Sequence, residues 1–242
     1  IVDSEFTRRE VMSAFGISET KVSAVHLGVS NCFYPRDAVD CASWLSTQRL
    51  TYRGYVLAVG TIEPQKNVLG LIQAYAALPQ ELRDRFPLVI AGMKGWRDAE
   101  INACLRGVRG KLDVRVLGYV DSAMLPILYA GARLLAYPSI YEGFGLPPLE
   151  AMASKTPVVA ANSSSIPEVV GAAAILVDPY DTEAISEQLR RLLEDNDAAN
   201  KFSEAGFERA KLFTWAACAA KTVEIYKRCV GMPANTSRQG LL

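Results

Sequence analysis

Six short apolar runs, separated by longer amphipathic stretches, constrain the fold of this chain more than any other feature. They are YVLAVG (55–60), PLVIAG (87–92), LDVRVLG (112–118), RLLAYPS (133–139), TPVVAAN (156–162) and AILVDP (174–179). Several are apolar without interruption, the pattern of strands covered on both faces, and strand–helix alternation implies parallel βαβ units. After Asn67, the residues Val68, Leu71, Ile72 and Tyr75 recur at helical spacing, giving a helix with one buried stripe. Residues 182–194 and 197–212 read as two more helices. FTWAACAAKTVEIYKRC reads as another, whose Trp215, Val223, Ile225 and Tyr226 should pack against a partner surface. The expected architecture is α/β: a Rossmann-like parallel sheet with helices on both faces.

The first fifty residues behave differently. Thr7 and Glu10 stand at capping-box spacing ahead of a helix that Gly16 can end, and a short strand is expected at KVSAVHLGV. The chain starts without methionine and inside an apparent helix, as a piece of a longer protein would. The expected division is residues 1–30 as the last helix and strand of a preceding N-terminal domain, 31–53 as connector, 54–214 as the Rossmann-like domain, 215–230 as a C-terminal helix and 231–242 as a flexible tail.

Charge narrows the function. Lysines and arginines balance aspartates and glutamates at 26 each, so no global positive field gathers nucleic acid or acidic lipid. No apolar run has the length of a membrane span and the N-terminus lacks a signal-peptide pattern, which gives an expectation of a cytoplasmic protein. Five cysteines form no CxxC pair and read as idle thiols in a reducing compartment.

Doubly wound sheets bind ligands at the carboxyl ends of their strands, so chemistry belongs in the loops that follow them. The loop after the first strand, GTIEPQKN, lacks GxGxxG, and the second strand ends in AG without a ribose-binding acid. Both argue against a nicotinamide dehydrogenase. The same loop offers Lys66 where a helix begins, either a phosphate contact or a solvated surface lysine. After the fourth strand comes EGFGLPPLEAMA. Gly143 and Gly145 can take backbone angles closed to other residues, and Pro147 or Pro148 suits a first helical turn, so the loop feeds the positive end of a helix, a site for anions. Glu150 can accept hydrogen bonds from vicinal hydroxyls such as those of a ribose. Glu142 stands across the glycines from it. Two surface acids serving the helix dipole are the alternative.

EGFGLPPLEAMA resembles the E-x7-E signature of the family 4 retaining glycosyltransferases, which have the two-domain GT-B fold. VGTIEPQKN, LVIAGMKGW, LGYVDSAMLPILYAGA, SSSIPEVVGAAAILVDPYD and the ending FTW extend the resemblance over nearly the whole chain. Bacterial mannosyltransferases that build surface polysaccharides are the most similar subclass. The resemblance implies that residues 54–214 form the donor domain for a nucleotide sugar, GDP-mannose or another nucleoside-diphosphate hexose, in a hexosyltransferase. Lys66 would contact the diphosphate with Gly60 and Thr61 beside it, Glu150 the ribose, and Glu142 the transferred sugar. Lys66 and Glu142 would be the catalytic pair. The backbone from Gly143 through Phe144 and Gly145 to Leu146 would hold phosphate or sugar oxygens, and Tyr119, Val120 and Leu125 the base.

Departures are Thr61 and Gln65 where relatives often carry arginine, Lys155 where glycine is usual, and Ala172 for a frequent aspartate. The glycan or lipid-linked acceptor would bind mainly to an N-terminal domain outside this chain, leaving the fragment inactive alone, and the full-length protein would associate with the inner membrane face. No metal is expected: the DND run at 195–197 reads as a surface turn, and His26 as a hinge residue rather than a base. A non-catalytic nucleotide-sugar module and a GT-B epimerase are the alternatives.

Overall fold

A computed structural model of the chain describes residues 1–93, 95 and 99–231. Lys94 and Trp96 of the AGMKGW string, and the expected tail from residue 232 onward, lie outside the described residues.

Strands β1 (Val56–Val59), β2 (Leu88–Ala91), β3 (Val114–Gly118), β4 (Leu134–Tyr137), β5 (Val158–Ala161) and β6 (Ile175–Val177) fall within the six apolar runs. They form one parallel sheet in the order β3-β2-β1-β4-β5-β6, with Val56 in register with Leu88 on one side and Leu134 on the other. Alternate residues serve alternate faces. Leu57, Val89, Leu135, Tyr137, Val158 and Ala160 enter one core, and Val56, Ala58, Leu88, Ile90, Leu134, Ala136 and Val159 the other. Both sides are therefore covered, which is why the runs are continuously apolar.

The helices are α1 (Glu5–Phe15), α2 (Ala38–Thr47), α3 (Val68–Ala76), α4 (Gln80–Arg85), α5 (Ala99–Val108), α6 (Leu125–Ala130), α7 (Leu146–Ala153), α8 (Ile166–Val170), α9 (Thr182–Glu194), α10 (Asn196–Ala210) and α11 (Trp215–Cys229). α2, α6, α7 and α8 cover the first face. α3, α5 and α9 cover the second, with the expected stripe of Val68, Leu71, Ile72 and Tyr75 buried.

Three expectations are corrected. Residues 31–53 contain α2, capped by Asp37 and burying Cys41 and Leu45; one buried i,i+4 pair is too short a period to read. KVSAVHLGV forms no extended strand, because it has no ladder to join: Ala24 bridges Val2, Val29 bridges Thr214, and Glu19–Lys21 is a 3₁₀ turn. On α11 the apolar stripe is not covered among the described residues. Trp215, Val223 and Tyr226 are 48%, 47% and 61% exposed. α1 ends at left-handed Gly16 as expected, but its N-cap is Ser4, with Thr7 inside the first turn.

Candidate active site at the switch point of the sheet

β1 pairs with β2 on one side and β4 on the other. The loops after β1 and β4 therefore part in opposite directions and leave the crevice where doubly wound folds bind ligands. Lys66 and Glu142 come from these two loops. Lys66 does not begin α3; it ends a 3₁₀ turn, Pro64–Lys66, closed by left-handed Asn67 (φ 53°). Gly60 lies under its stem: a Cβ there would stand 3.6 Å from the Lys66 Cδ and Cε. The β1 loop also presses on the end of β2, where a Cβ on Gly92 would come within 1.8 Å of the Gly60 carbonyl oxygen.

One oxygen of Glu142 gathers three donors. Lys66 Nζ, Tyr137 Oη and Ser139 Oγ each lie 2.6 Å from Oε1 as donors, Ser139 sharing its one proton with the Gln65 carbonyl at 2.9 Å. No described residue bonds Oε2. The lysine and glutamate side chains are 18% and 12% exposed, so the pair is largely out of water. Burial, then the Glu142 charge, push the Tyr137 phenol well above its ordinary pKa, keeping it a neutral donor. A narrow cavity of about 20 Å³ lies between Lys66, Gly60, Tyr137 and Pro138.

The loop from Ser139 to Gly145 is fastened by hydroxyls. Ser163 Oγ stands 3.1 and 3.0 Å from the carbonyl oxygens of Ser139 and Ile140 and shares its one proton between them, and the Glu142 N–H donates to Ser164 Oγ at 2.9 Å. Ser165 Oγ lies 2.9 Å from both the Glu142 and Phe144 carbonyl oxygens. The Gly143 carbonyl accepts from Ser4 Oγ (2.6 Å) and Thr7 Oγ1 (3.1 Å). With the carbonyls taken, the amides are left over. Among the described residues the N–H groups of Gly143, Phe144, Gly145 and Leu146 have no acceptor.

Gly145, the N-cap of α7, has φ 112°, a conformation that needs glycine. Gly143 does not: its φ is not positive, and a Cβ there would find only Thr7 Oγ1 at 3.8 Å. Pro147 and Pro148 occupy the first turn as expected. Phe144 is buried, with ring centroids 5.9 Å from His26 and 6.0 Å from Phe213.

Glu150 sits one turn into α7. Burial raises its pKa, and the neighbouring Tyr129 hydroxyl opposes that shift. The two groups interact electrostatically, yet no hydrogen bond of acceptable geometry closes between them, and the Tyr129 hydroxyl is buried without a partner among the described residues. Val120, Leu125 and Leu146 are half-buried against the first core, whereas Tyr119 is 71% exposed. Thr61 and Gln65 are exposed, with Gln65 donating to Glu63 at 2.7 Å.

Away from the crevice, Lys155 keeps the left-handed angle, φ 56°. Its carbonyl is held by Arg53 and Ser203 and its ammonium by Glu204. Ala172 is exposed. Asp195 of the DND run caps α10 by accepting from the Asp197 and Ala198 amides. His26 Nε2 lies 2.5 Å from Glu168 Oε1. Partial burial raises the Glu168 pKa, but the amides of Glu5 and Phe6 together with His26 lower it below its ordinary value.

Sequence reasoning missed Ser4, Thr7, Tyr137, Ser139 and Ser163–Ser165. The run SSS directly after β5 was the one available signal, since it too sits at a carboxyl end of the sheet.

Comparison with known proteins gives the family of the chain. The profile of "Glycosyl transferases group 1" matches residues 48–209. O-antigen chain mannosyltransferase B of Escherichia coli is 42% identical over 225 residues, 93% of this chain and 59% of that protein. The serotype-specific mannosyltransferase WbdA of Escherichia coli is 32% identical over 184 residues, 75% of this chain and 23% of that protein. HepE of Anabaena, solved in complex with UDP and glucose, superposes with a TM-score of 0.84 at 19% identity, over 94% of this chain and 62% of that one. The chain thus spans only part of the length of the relatives it matches.

Proposed function

The chain belongs to the group 1 glycosyl transferases, and on that premise we propose that its crevice binds a nucleoside-diphosphate sugar, GDP-mannose in preference, as the donor domain of a retaining hexosyltransferase. The observation that carries this reading is the set of unpaired amides from Gly143 to Leu146 beside Lys66. Together they make an anion-binding site at a helix N-terminus. The ribose lies over Glu150 with the base against Val120, Leu125 and Tyr119. The diphosphate meets Lys66 and the loop amides beside Gly60 and Thr61, and the sugar reaches the open oxygen of Glu142.

As the glycosidic bond to the diphosphate breaks, negative charge grows on the leaving group. Lys66 and the loop amides are at hand to meet it, an electrostatic stabilisation of the leaving group. Glu142 holds Lys66 in place before the donor arrives. The charge is met by these groups rather than by a resident metal ion, so a chelator should leave donor binding unchanged. The glycan or lipid-linked acceptor is assigned to a preceding domain of the full-length protein, and its transfer to polysaccharide is part of the same proposal. The mannosyltransferase relatives support the choice of sugar.

Calorimetric titration of this chain with GDP, UDP, ADP and their sugars tests the reading. Saturation at 100 times Kd stabilises by about 2.7 kcal/mol, which raises Tm by roughly 5–10 °C. No heat and no shift with any nucleoside diphosphate at millimolar concentration would overturn it.

A further inference from the structure

We propose that Ser4 and Thr7, in the first turn of α1, are positioning residues for the diphosphate loop: their hydroxyls seize the Gly143 carbonyl and thereby turn the Phe144 N–H away from α1, where it remains free for an anion. The inference rests on the donor reading above. A trans peptide is planar, with C=O and N–H pointing in opposite directions, so fixing one fixes the other. The Gly143 oxygen has two lone pairs and receives two hydroxyls, at 2.6 and 3.1 Å, from positions three apart on one helical turn.

The turn that carries them is itself fastened. Ser4 is fully buried and also caps α1 by accepting from the Thr7 N–H at 3.0 Å. Glu168 accepts from the next two free amides, those of Glu5 (2.8 Å) and Phe6 (3.2 Å), and His26 lies against the same carboxylate. Phe6 stacks edge-on to Tyr141 of the loop at 5.6 Å. The three leading amides of α1 are thus spent within the protein, and its end acts as a clamp rather than as a binding site.

The residue type separates positioning from capping. An N-cap only accepts a hydrogen bond, so aspartate caps as well as serine. Aspartate has no proton to give, however, and would repel the Gly143 carbonyl. The test compares Ser4→Asp, Thr7→Val and the hydroxyl-keeping Ser4→Thr in this chain. Each is titrated with the nucleoside diphosphate that wild type binds and with the matching nucleoside, beside a thermal unfolding curve. Loss of one neutral hydrogen bond is roughly three- to tenfold in affinity. Ser4→Asp and Thr7→Val should lose that factor for the diphosphate and nothing for the nucleoside, with Ser4→Thr restoring wild-type behaviour. Equal losses for both ligands, or unchanged affinity with only a lower Tm, would overturn the inference. Should Ser4→Asp fail to fold, half-buried Thr7→Val decides alone. A wild-type chain that binds no nucleoside diphosphate overturns the donor reading, and this inference with it. Wild-type binding undiminished in Thr7→Val overturns this inference only.

Discussion

Lys66 and Glu142 meet 2.6 Å apart across 76 residues of sequence, so each is already the partner that a ligand of the other must compete with. Glu142→Gln removes that competition. It should leave GDP or UDP affinity equal or tighter, while lowering affinity for the nucleotide sugar and transfer by the full-length enzyme. Lys66→Ala should instead weaken the diphosphate and the nucleotide sugar alike, by about 1.5–3 kcal/mol, a factor of roughly 10–150. Calorimetry on both variants checks the sign of each change.

Glu150 carries a pH prediction. Burial holds its folded pKa above the ordinary value, so its contribution to stability is fully present below the unfolded pKa and is lost as pH rises through the folded one. Once ionised, the buried acid therefore works against folding. Glu150→Gln should raise the Tm of the unliganded chain, by roughly 2–4 °C per kcal/mol recovered. The same variant should weaken nucleotide and nucleoside alike, by about 10- to 150-fold for a lost charged hydrogen bond. In wild type, affinity should decline with falling pH from above the usual carboxylate range, and the decline should vanish in the variant. Titrations across pH measure both.

The two loop glycines should differ. Gly145→Ala forces alanine to φ 112° and brings Cβ within 2.7 Å of Ile166 Cδ1. The side chain can yield, so the backbone angle carries most of the cost, of order 1–3 kcal/mol. Gly143→Ala should stay within about 0.5 kcal/mol. Denaturant unfolding of the two variants separates them.

Base preference is a fourth measurable outcome. GDP should bind more tightly than UDP; equal or reversed affinities would remove the mannosyl donor while leaving the fold untouched.

The sheet could be read from sequence because strands covered on both faces must be apolar at every position, as Leu57 to Val59 and Leu134 to Ala136 are. That Lys66 and Glu142 share one crevice could be read because both stand in loops at the carboxyl ends of strands, where doubly wound sheets open. What fixes them could not. Tyr137 reads as a strand residue, and its hydroxyl matters only because Glu142 folds back over it. Ser4 contacts Gly143 across 139 residues, and no local period encodes such a contact. α11 failed in the opposite sense: its apolar spacing was real, but spacing reports a face and not what covers it.

Ser165 gives the cradle one soft joint. Its oxygen stands 2.9 Å from two carbonyls, those of Glu142 and Phe144, and a hydroxyl has a single proton to share between them. Either peptide can therefore rock toward an arriving phosphate while the other keeps the bond. The total number of hydrogen bonds is conserved through the motion, so the loop can adjust to its guest at almost no enthalpic cost. Replacing this serine with a residue that satisfies both carbonyls at once would stiffen the loop, and the rate of donor exchange would slow before its affinity changed.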